Sequence, residues 1–231
     1  MARFARTEVV LGLRNGGIVP VFYNPDPEIC LEVAKACYRG GLKTFEFTNR
    51  GDYAHEVFAL LNKKLADECP EMITGAGSVT DGPTAVLYMQ LGANFIVSPS
   101  LHEDVAFLCN QRKVLWIPGC GSVTEISEAE RLGAEIVKIF PGSQVGGPGF
   151  VKAVLGPRPW TSLMPTGGVE PTEENLAGWF NAGVYCVGIG SRLITKDILK
   201  NRDFNLLEKK VSEAVAILQK IKGSPAGNKG N

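Results

Sequence analysis

Short apolar, β-branched runs alternate along the chain with longer stretches in which apolar residues recur at helical spacing. The runs that read as strands are Gly17–Phe22, Leu42–Phe47, Met72–Ala76, Asn94–Ser98, Val114–Pro118, Glu135–Phe140, Ser162–Pro165 and Val184–Val187. Between them, Glu28–Arg39 sets Ile29, Val33 and Ala36 on one helical face. Tyr53–Glu68, Thr84–Leu91, Glu103–Gln111, Glu125–Leu132, Phe150–Leu155 and Glu173–Asn181 carry similar patterns. Strands separated by helices predict parallel pairing through right-handed crossovers. Eight units in 231 residues come to about 29 residues each, which fits a closed eight-fold βα barrel. The expectation is therefore an α/β chain with a single (β/α)8 TIM-barrel domain over residues 1–222. An open doubly wound sheet is the alternative that periodicity leaves standing.

Turn chemistry supports this segmentation. Asp81-Gly82-Pro83 offers a helix cap followed by proline in the first turn. Ser122-Val-Thr-Glu125 has the spacing of a capping box. Gly-Ser-Val-Thr occurs at Gly77–Thr80 and again at Gly121–Thr124, 44 residues on, a separation that two βα units would produce. The tail Gly223–Asn231, with Gly, Ser, Pro and Asn and almost no apolar residue, is expected to fray.

Composition narrows the function classes. Glycine, 27 of 231 residues, reaches about 12%, against roughly 7% on average, so many tight turns are implied. The 24 basic and 24 acidic side chains cancel. An anionic ligand would need a local site, and neither nucleic acid nor a membrane is an expected partner. Six scattered cysteines without a C-x-x-C pair, and no secretory signal, suggest reduced buried thiols in a cytoplasmic protein. With His55 and His102 as the sole histidines, a zinc site of the usual type is poorly supplied.

Function in a parallel barrel concentrates where strands run into their βα loops, and unusual residues gather there. Thr44-Phe-Glu-Phe-Thr-Asn-Arg50 sets Glu46 between phenylalanines with Arg50 four residues later. Alternation allows Glu46 to face solvent or an interior, and both a structural Glu46–Arg50 pair and a catalytic carboxylate stay open. In Glu135-Ile-Val-Lys-Ile-Phe-Pro141, Lys138 stands between Val137 and Ile139. Desolvation disfavours the charged form of such a lysine and makes a nucleophilic amine accessible, one able to form a Schiff base with a ketone. A lysine reaching out to solvent, or paired in a buried ion pair, is the alternative. Pro165-Thr-Gly-Gly-Val169 and Gly188-Ile-Gly-Ser191 end neighbouring strands in glycine-rich loops suited to a phosphate.

Taken in order from Ile18 to Leu193, these segments resemble the 2-keto-3-deoxy-6-phosphogluconate (KDPG) and 4-hydroxy-2-oxoglutarate (KHG) aldolase family. The resemblance rests on Ile18-Val-Pro-Val21, Phe45-Glu-Phe-Thr-Asn-Arg50, Gly75-Ala-Gly-Ser-Val79, Val97-Ser-Pro99, Ile117-Pro-Gly119, Val137-Lys-Ile-Phe-Pro141, Pro165-Thr-Gly-Gly168 and Gly190-Ser191. It implies a metal-independent class I aldolase needing no cofactor, commonly a homotrimer, acting on a 2-keto-3-deoxy acid and releasing pyruvate. By the match, Lys138 forms the Schiff base, Glu46 is the general acid/base and Arg50 holds the substrate carboxylate. Ser78 (threonine in most of the family), Pro99 and Phe140 match substrate contacts, and Gly167, Gly168 and Ser191 match phosphate contacts. The chain departs from the family at Ser98-Pro-Ser100, at Ile139 within Lys138-Ile-Phe-Pro141, in the loop Gly142–Gly149, and at Arg192, where tryptophan is usual.

Overall fold

The computed structural model describes residues 2–223. In chain order its elements are α1 (Arg6–Gly16), β1 (Ile18–Phe22), α2 (Pro27–Arg39), β2 (Thr44–Thr48), α3 (Ala54–Glu68), β3 (Ile73–Gly77), α4 (Gly82–Gln90), β4 (Phe95–Val97), α5 (Glu103–Arg112), β5 (Leu115–Ile117), β6 (Gly119–Cys120), α6 (Val123–Arg131), β7 (Val137–Ile139), α7 (Gly147–Leu155), β8 (Leu163–Pro165), α8 (Glu173–Asn181), β9 (Val187–Ile189), α9 (Lys196–Asn201) and α10 (Phe204–Gly223). The expected frayed tail lies outside the described residues, apart from Gly223 at the end of α10.

All strand pairs are parallel, in one sheet of order β5-β4-β3-β2-β1-β9 and a second of order β6-β7-β8. The two sheets are continuous at both seams. β5 and β6 are halves of one strand interrupted by Pro118, which has no N–H to give. Its carbonyl nonetheless accepts from the Lys138 N–H at 2.8 Å, while Ile117 accepts from the Ser98 N–H at 3.1 Å. At the other seam Thr166 bridges Gly188, and the Tyr185 N–H donates to Leu163 at 2.9 Å. Eight strand positions thus close into a (β/α)8 barrel, and the open sheet is excluded.

Alternation along the strands divides two apolar layers. Phe45, Phe47, Ile96, Trp116, Val137 and Ile139 face outward into the shell shared with the helices. Val19, Ile73, Phe95, Val97, Leu115, Ile117 and Met164 face inward, joined by Val9 and Leu13 of α1. Local signals start the helices where the sequence places them. The Asp81 carboxylate accepts from the Thr84 N–H at 2.8 Å, ahead of Pro83. The Ser122 hydroxyl accepts from the Glu125 N–H, while the Glu125 carboxylate accepts from the Gly121 N–H and the Ser122 hydroxyl. The two Gly-Ser-Val-Thr copies both follow strands, but only the second supplies a cap; in the first, Ser78 takes a left-handed φ of 58°.

Three helices lie outside the sequence expectation, several element ends shift by one to three residues, and the last strand is displaced. α1, α9 and α10 fall outside the eight-unit pattern. α10 nonetheless buries Leu207, Val211, Ala214, Leu218 and Ile221 along one face and packs on α2 and α8. The last strand runs Val187–Ile189 rather than Val184–Val187. Gly188 reads as loop in the sequence, yet it is an interior strand position: a Cβ there would come within 2.4 Å of Thr166 Oγ1. The missing side chain is a packing requirement of the closing seam.

Candidate active site

Glu46 lies in the middle of β2 between two outward phenylalanines, and this alternation turns it into the barrel. Lys138 enters from β7, in register with Gly119 on one side and Met164 on the other. Glu46 is fully buried and Lys138 is 6% exposed. The Lys138 Nζ stands 3.7 Å from Glu46 Oε1. This is ion-pair range, too long for a good hydrogen bond, and neither Glu46 oxygen has a hydrogen-bond partner among the described residues. Of the alternatives left open by the sequence, the solvent-directed lysine is excluded, and Lys138 stands in a buried ion pair with Glu46. The Glu46–Arg50 pair is not the arrangement found. Instead the Arg50 Nε donates to the Ser78 Oγ at 3.3 Å.

The surroundings explain how such a pair fits. A Cβ on Gly77 would fall 1.9 Å from Glu46 Oε1, so β3 must present a bare backbone beside the carboxylate. A Cβ on Gly119 would fall 2.2 Å from the Pro99 carbonyl oxygen, which brings Pro99 against the strand neighbour of Lys138. The Lys138 Nζ lies 5.2 Å from the centre of the Phe140 ring, within the range of a cation–π contact. The segment carrying Arg50 is held by Asn49, whose N–H donates to Gly77 O at 2.8 Å and whose side-chain oxygen accepts from the buried Tyr88 hydroxyl at 2.9 Å. Arg50 itself is exposed and Ser78 half-buried.

Gly167 and Gly168 have φ values of 95° and 77°, conformations that favour glycine. They follow β8 after Thr166, which bridges Gly188 of the neighbouring β9, and Gly190-Ser191 follows β9, so the barrel brings the two glycine-rich ends together. The loop after β7 joins them. The Gly142 N–H donates to Thr166 O at 2.8 Å and the Ser143 N–H to Gly167 O at 3.0 Å. A cleft of about 600 Å³ opens alongside, lined by Ser143, Gly147, Gly168, Glu170, Asn175 and Trp179 among others. Across the loop ends Arg192 Nε lies 3.3 Å from Glu170 Oε1. Glu46 and Lys138 do not line this cleft.

The family model described as KDPG and KHG aldolase matches residues 9–210. The chain belongs to the KDPG and KHG aldolase family. It is 33% identical to the 2-dehydro-3-deoxy-phosphogluconate aldolase of Pseudoalteromonas atlantica, covering 87% of this chain and 91% of that protein. It is 32% identical to the KHG/KDPG aldolase of Escherichia coli K12, over 88% of this chain and 92% of that one. The KDPG aldolase of Legionella pneumophila, solved with pyruvate captured as a covalent carbinolamine, superimposes with a TM-score of 0.80 at 26% identity, covering 89% of this chain and 97% of the other. The KDPG aldolase of Zymomonas mobilis ZM4, solved with 3-phosphoglycerate, gives 0.80 at 25% identity over 92% and 97%. The protein is thus an aldolase, a lyase. Among the described residues no helix is long and apolar enough to cross a membrane.

In this aldolase the sequence reading misses three features of the site. Gly77 makes room for Glu46, and its place in the repeated Gly-Ser-Val-Thr is the one signal that singles it out. Thr166 Oγ1, at the β8 end, is buried and has no hydrogen-bond partner among the described residues. The Arg192–Glu170 pair joins loops 22 residues apart, and nothing in the local sequence announces it.

Proposed function

We propose that this chain is a class I aldolase that cleaves 2-keto-3-deoxy-6-phosphogluconate to pyruvate and glyceraldehyde 3-phosphate through a Schiff base on Lys138. The observation carrying the proposal is the 3.7 Å approach of a buried lysine amine to a buried carboxylate that lacks hydrogen-bond partners among the described residues. Leaving such a carboxylate without hydrogen bonds costs stability, and sites that bear that cost are more often functional than architectural.

The Lys138 amine attacks the substrate C2 carbonyl, and loss of water from the carbinolamine leaves an iminium. Glu46 takes the proton of the C4 hydroxyl as the C3–C4 bond breaks, and the electron pair flows into the iminium to form an enamine. The aldehyde leaves, C3 takes a proton, and water hydrolyses the iminium to pyruvate and the free amine. Arg50, whose guanidinium fork matches a carboxylate, holds the substrate's C1 carboxylate beside Ser78. Pro99 and Phe140 shape the wall around the lysine. Gly167, Gly168 and Ser191 take the terminal phosphate at the far end. The carbinolamine captured in the Legionella enzyme supports the covalent route.

A second reading, cleavage of unphosphorylated 4-hydroxy-2-oxoglutarate, is favoured by one observation: Glu170 lines the same cleft as Gly168, where its carboxylate would repel a terminal phosphate dianion more than a singly charged terminal carboxylate. A panel assay of pyruvate release from phosphorylated and unphosphorylated 2-keto-3-deoxy acids separates the two. The highest kcat/KM is expected for the phosphorylated gluconate derivative. Pyruvate release from none of the panel would sink both readings. We also assign the protein, by family resemblance, to the cytoplasm as a homotrimer of domains spanning residues 1–222; a sedimentation mass of one protomer would refute the trimer.

A further inference from the structure

The proposed phosphate cup is built from backbone and one hydroxyl, which bring no full charge to a dianionic ligand. Arg192 follows Ser191 directly, on the loop after β9. Its guanidinium Nε lies 3.3 Å from the carboxylate of Glu170, on the loop after β8. Arg192 is exposed, at 69% of its side chain, and Glu170 is half-buried, at 39%. Solvent-accessible pairs of this kind contribute little net stability, so exchanging one anion for another on the guanidinium is inexpensive. Glu170 is the better fixed of the two. Its N–H donates to Asn175 Oδ1 at 2.9 Å, and the Asn175 side-chain amide donates to Gly168 O at 3.2 Å. Asn175 thereby ties the loop of Glu170 to the loop of Gly168 from the first turn of α8. The backbone that carries the Glu170 carboxylate is thereby anchored to Gly168, whereas Arg192 reaches that carboxylate from an exposed side chain.

We infer that Arg192 is a specificity-determining residue for phosphorylated substrate, with Glu170 as the internal anion that the phosphate displaces. The inference rests on the assignment of the cup to phosphate. A guanidinium fork can meet two phosphate oxygens at once, whereas an unphosphorylated acid leaves it paired to Glu170. The two members then act with opposite sign: Arg192 attracts the dianion and Glu170 competes with it. A pair that merely ties the two loops together would give losses of the same sign from either substitution.

The test measures kcat/KM for a phosphorylated and an unphosphorylated 2-keto-3-deoxy acid, with inhibition by inorganic phosphate as a second readout. Arg192→Gln is expected to lower the ratio of the two kcat/KM values by about 10-fold, an exposed charge-assisted contact being worth less than a buried one. It should weaken phosphate inhibition by a similar factor. Arg192→Lys should retain part of the preference as a point charge. Glu170→Gln should raise the ratio by about 2–5-fold at low salt, and the gain should shrink as ionic strength screens the pair. An unchanged ratio in Arg192→Gln, or a fall in Glu170→Gln matching that in Arg192→Gln, overturns the inference. Ser191→Ala separates the causes of failure. If it lowers the ratio and Arg192→Gln does not, the cup binds phosphate and Arg192 has no part in it. If neither does, the phosphate assignment falls as well.

Discussion

The two ends of the barrel interior are filled by opposite rules. At the N-terminal end Val9 and Leu13 of α1 pack with Ile73, Phe95, Leu115 and Ile136, all buried and all apolar. Toward the C-terminal end the same inward alternation delivers Glu46 and Lys138, facing each other at 3.7 Å without hydrogen-bond partners for the carboxylate among the described residues. One end contributes stability by removing apolar surface from water. The other, on the proposed function, gives up stability to keep an amine and a carboxylate desolvated and close. Strands of a single sheet serve both ends because period-two alternation fixes which face a residue takes and leaves the chemistry of that residue free.

The comparison can be broken most severely at the reactive end. Lys138→Met is expected to reduce cleavage by on the order of 10⁴–10⁶-fold, as loss of a nucleophile does elsewhere. Combining it with Glu46→Leu should leave a folded protein as stable as the parent or about 1–4 kcal/mol more so, since a buried ion pair replaced by apolar groups is often neutral or stabilising. Thermal unfolding of the double variant checks this, and marked destabilisation would make the pair architectural. Glu46→Gln should lower cleavage by about 10²–10⁴-fold while sparing the first condensation with pyruvate, because an amide cannot cycle a proton. Normal cleavage kinetics in that variant would remove Glu46 from the mechanism.

The apolar end should respond in the opposite way. Leu13→Ala is expected to cost about 2–5 kcal/mol in denaturant unfolding, the range for emptying a packed leucine site, while kcat/KM per folded molecule is kept. A large activity loss without destabilisation would mean that the two ends are not separable. The smallest effect is expected below α1, where the half-buried Lys222 Nζ donates to Arg14 O at 2.8 Å and Asn15 O at 3.4 Å. Burial holds this amine below the usual lysine range, so the unfolded chain binds the extra proton. Stability should therefore rise as pH climbs through the folded value towards about 10.4, the unfolded one. Lys222→Met should flatten that slope, and a slope unchanged in the variant would assign it to other groups.

How far the molecule is legible in its sequence follows the same division. The eight-fold alternation is local, so seven of the eight strand positions appear near their places from pattern alone. Gly188 hides the eighth because its role, making room for Thr166 Oγ1, belongs to a neighbouring strand. α1 and α10 escape because the repeat of βα units neither requires nor predicts them. Lys138 and Glu46 stand out as charges in apolar strands, but alternation cannot say which face is inside. That Glu46 meets Lys138 rather than Arg50 depends on the closed barrel, which no local pattern supplies. Gly77, Thr166 and the Arg192–Glu170 pair depend on contacts across strands or loops, and no spacing in one segment encodes them.

The central claim is that the desolvated amine of Lys138 is the nucleophile, and reductive trapping addresses it directly. Treating the protein with pyruvate and borohydride, then mapping the product by peptide mass spectrometry, should find the reduced adduct on Lys138, with none formed in Lys138→Arg, whose guanidinium cannot replace the amine. An intact protein that forms no adduct, or forms one solely on another lysine, would contradict the account.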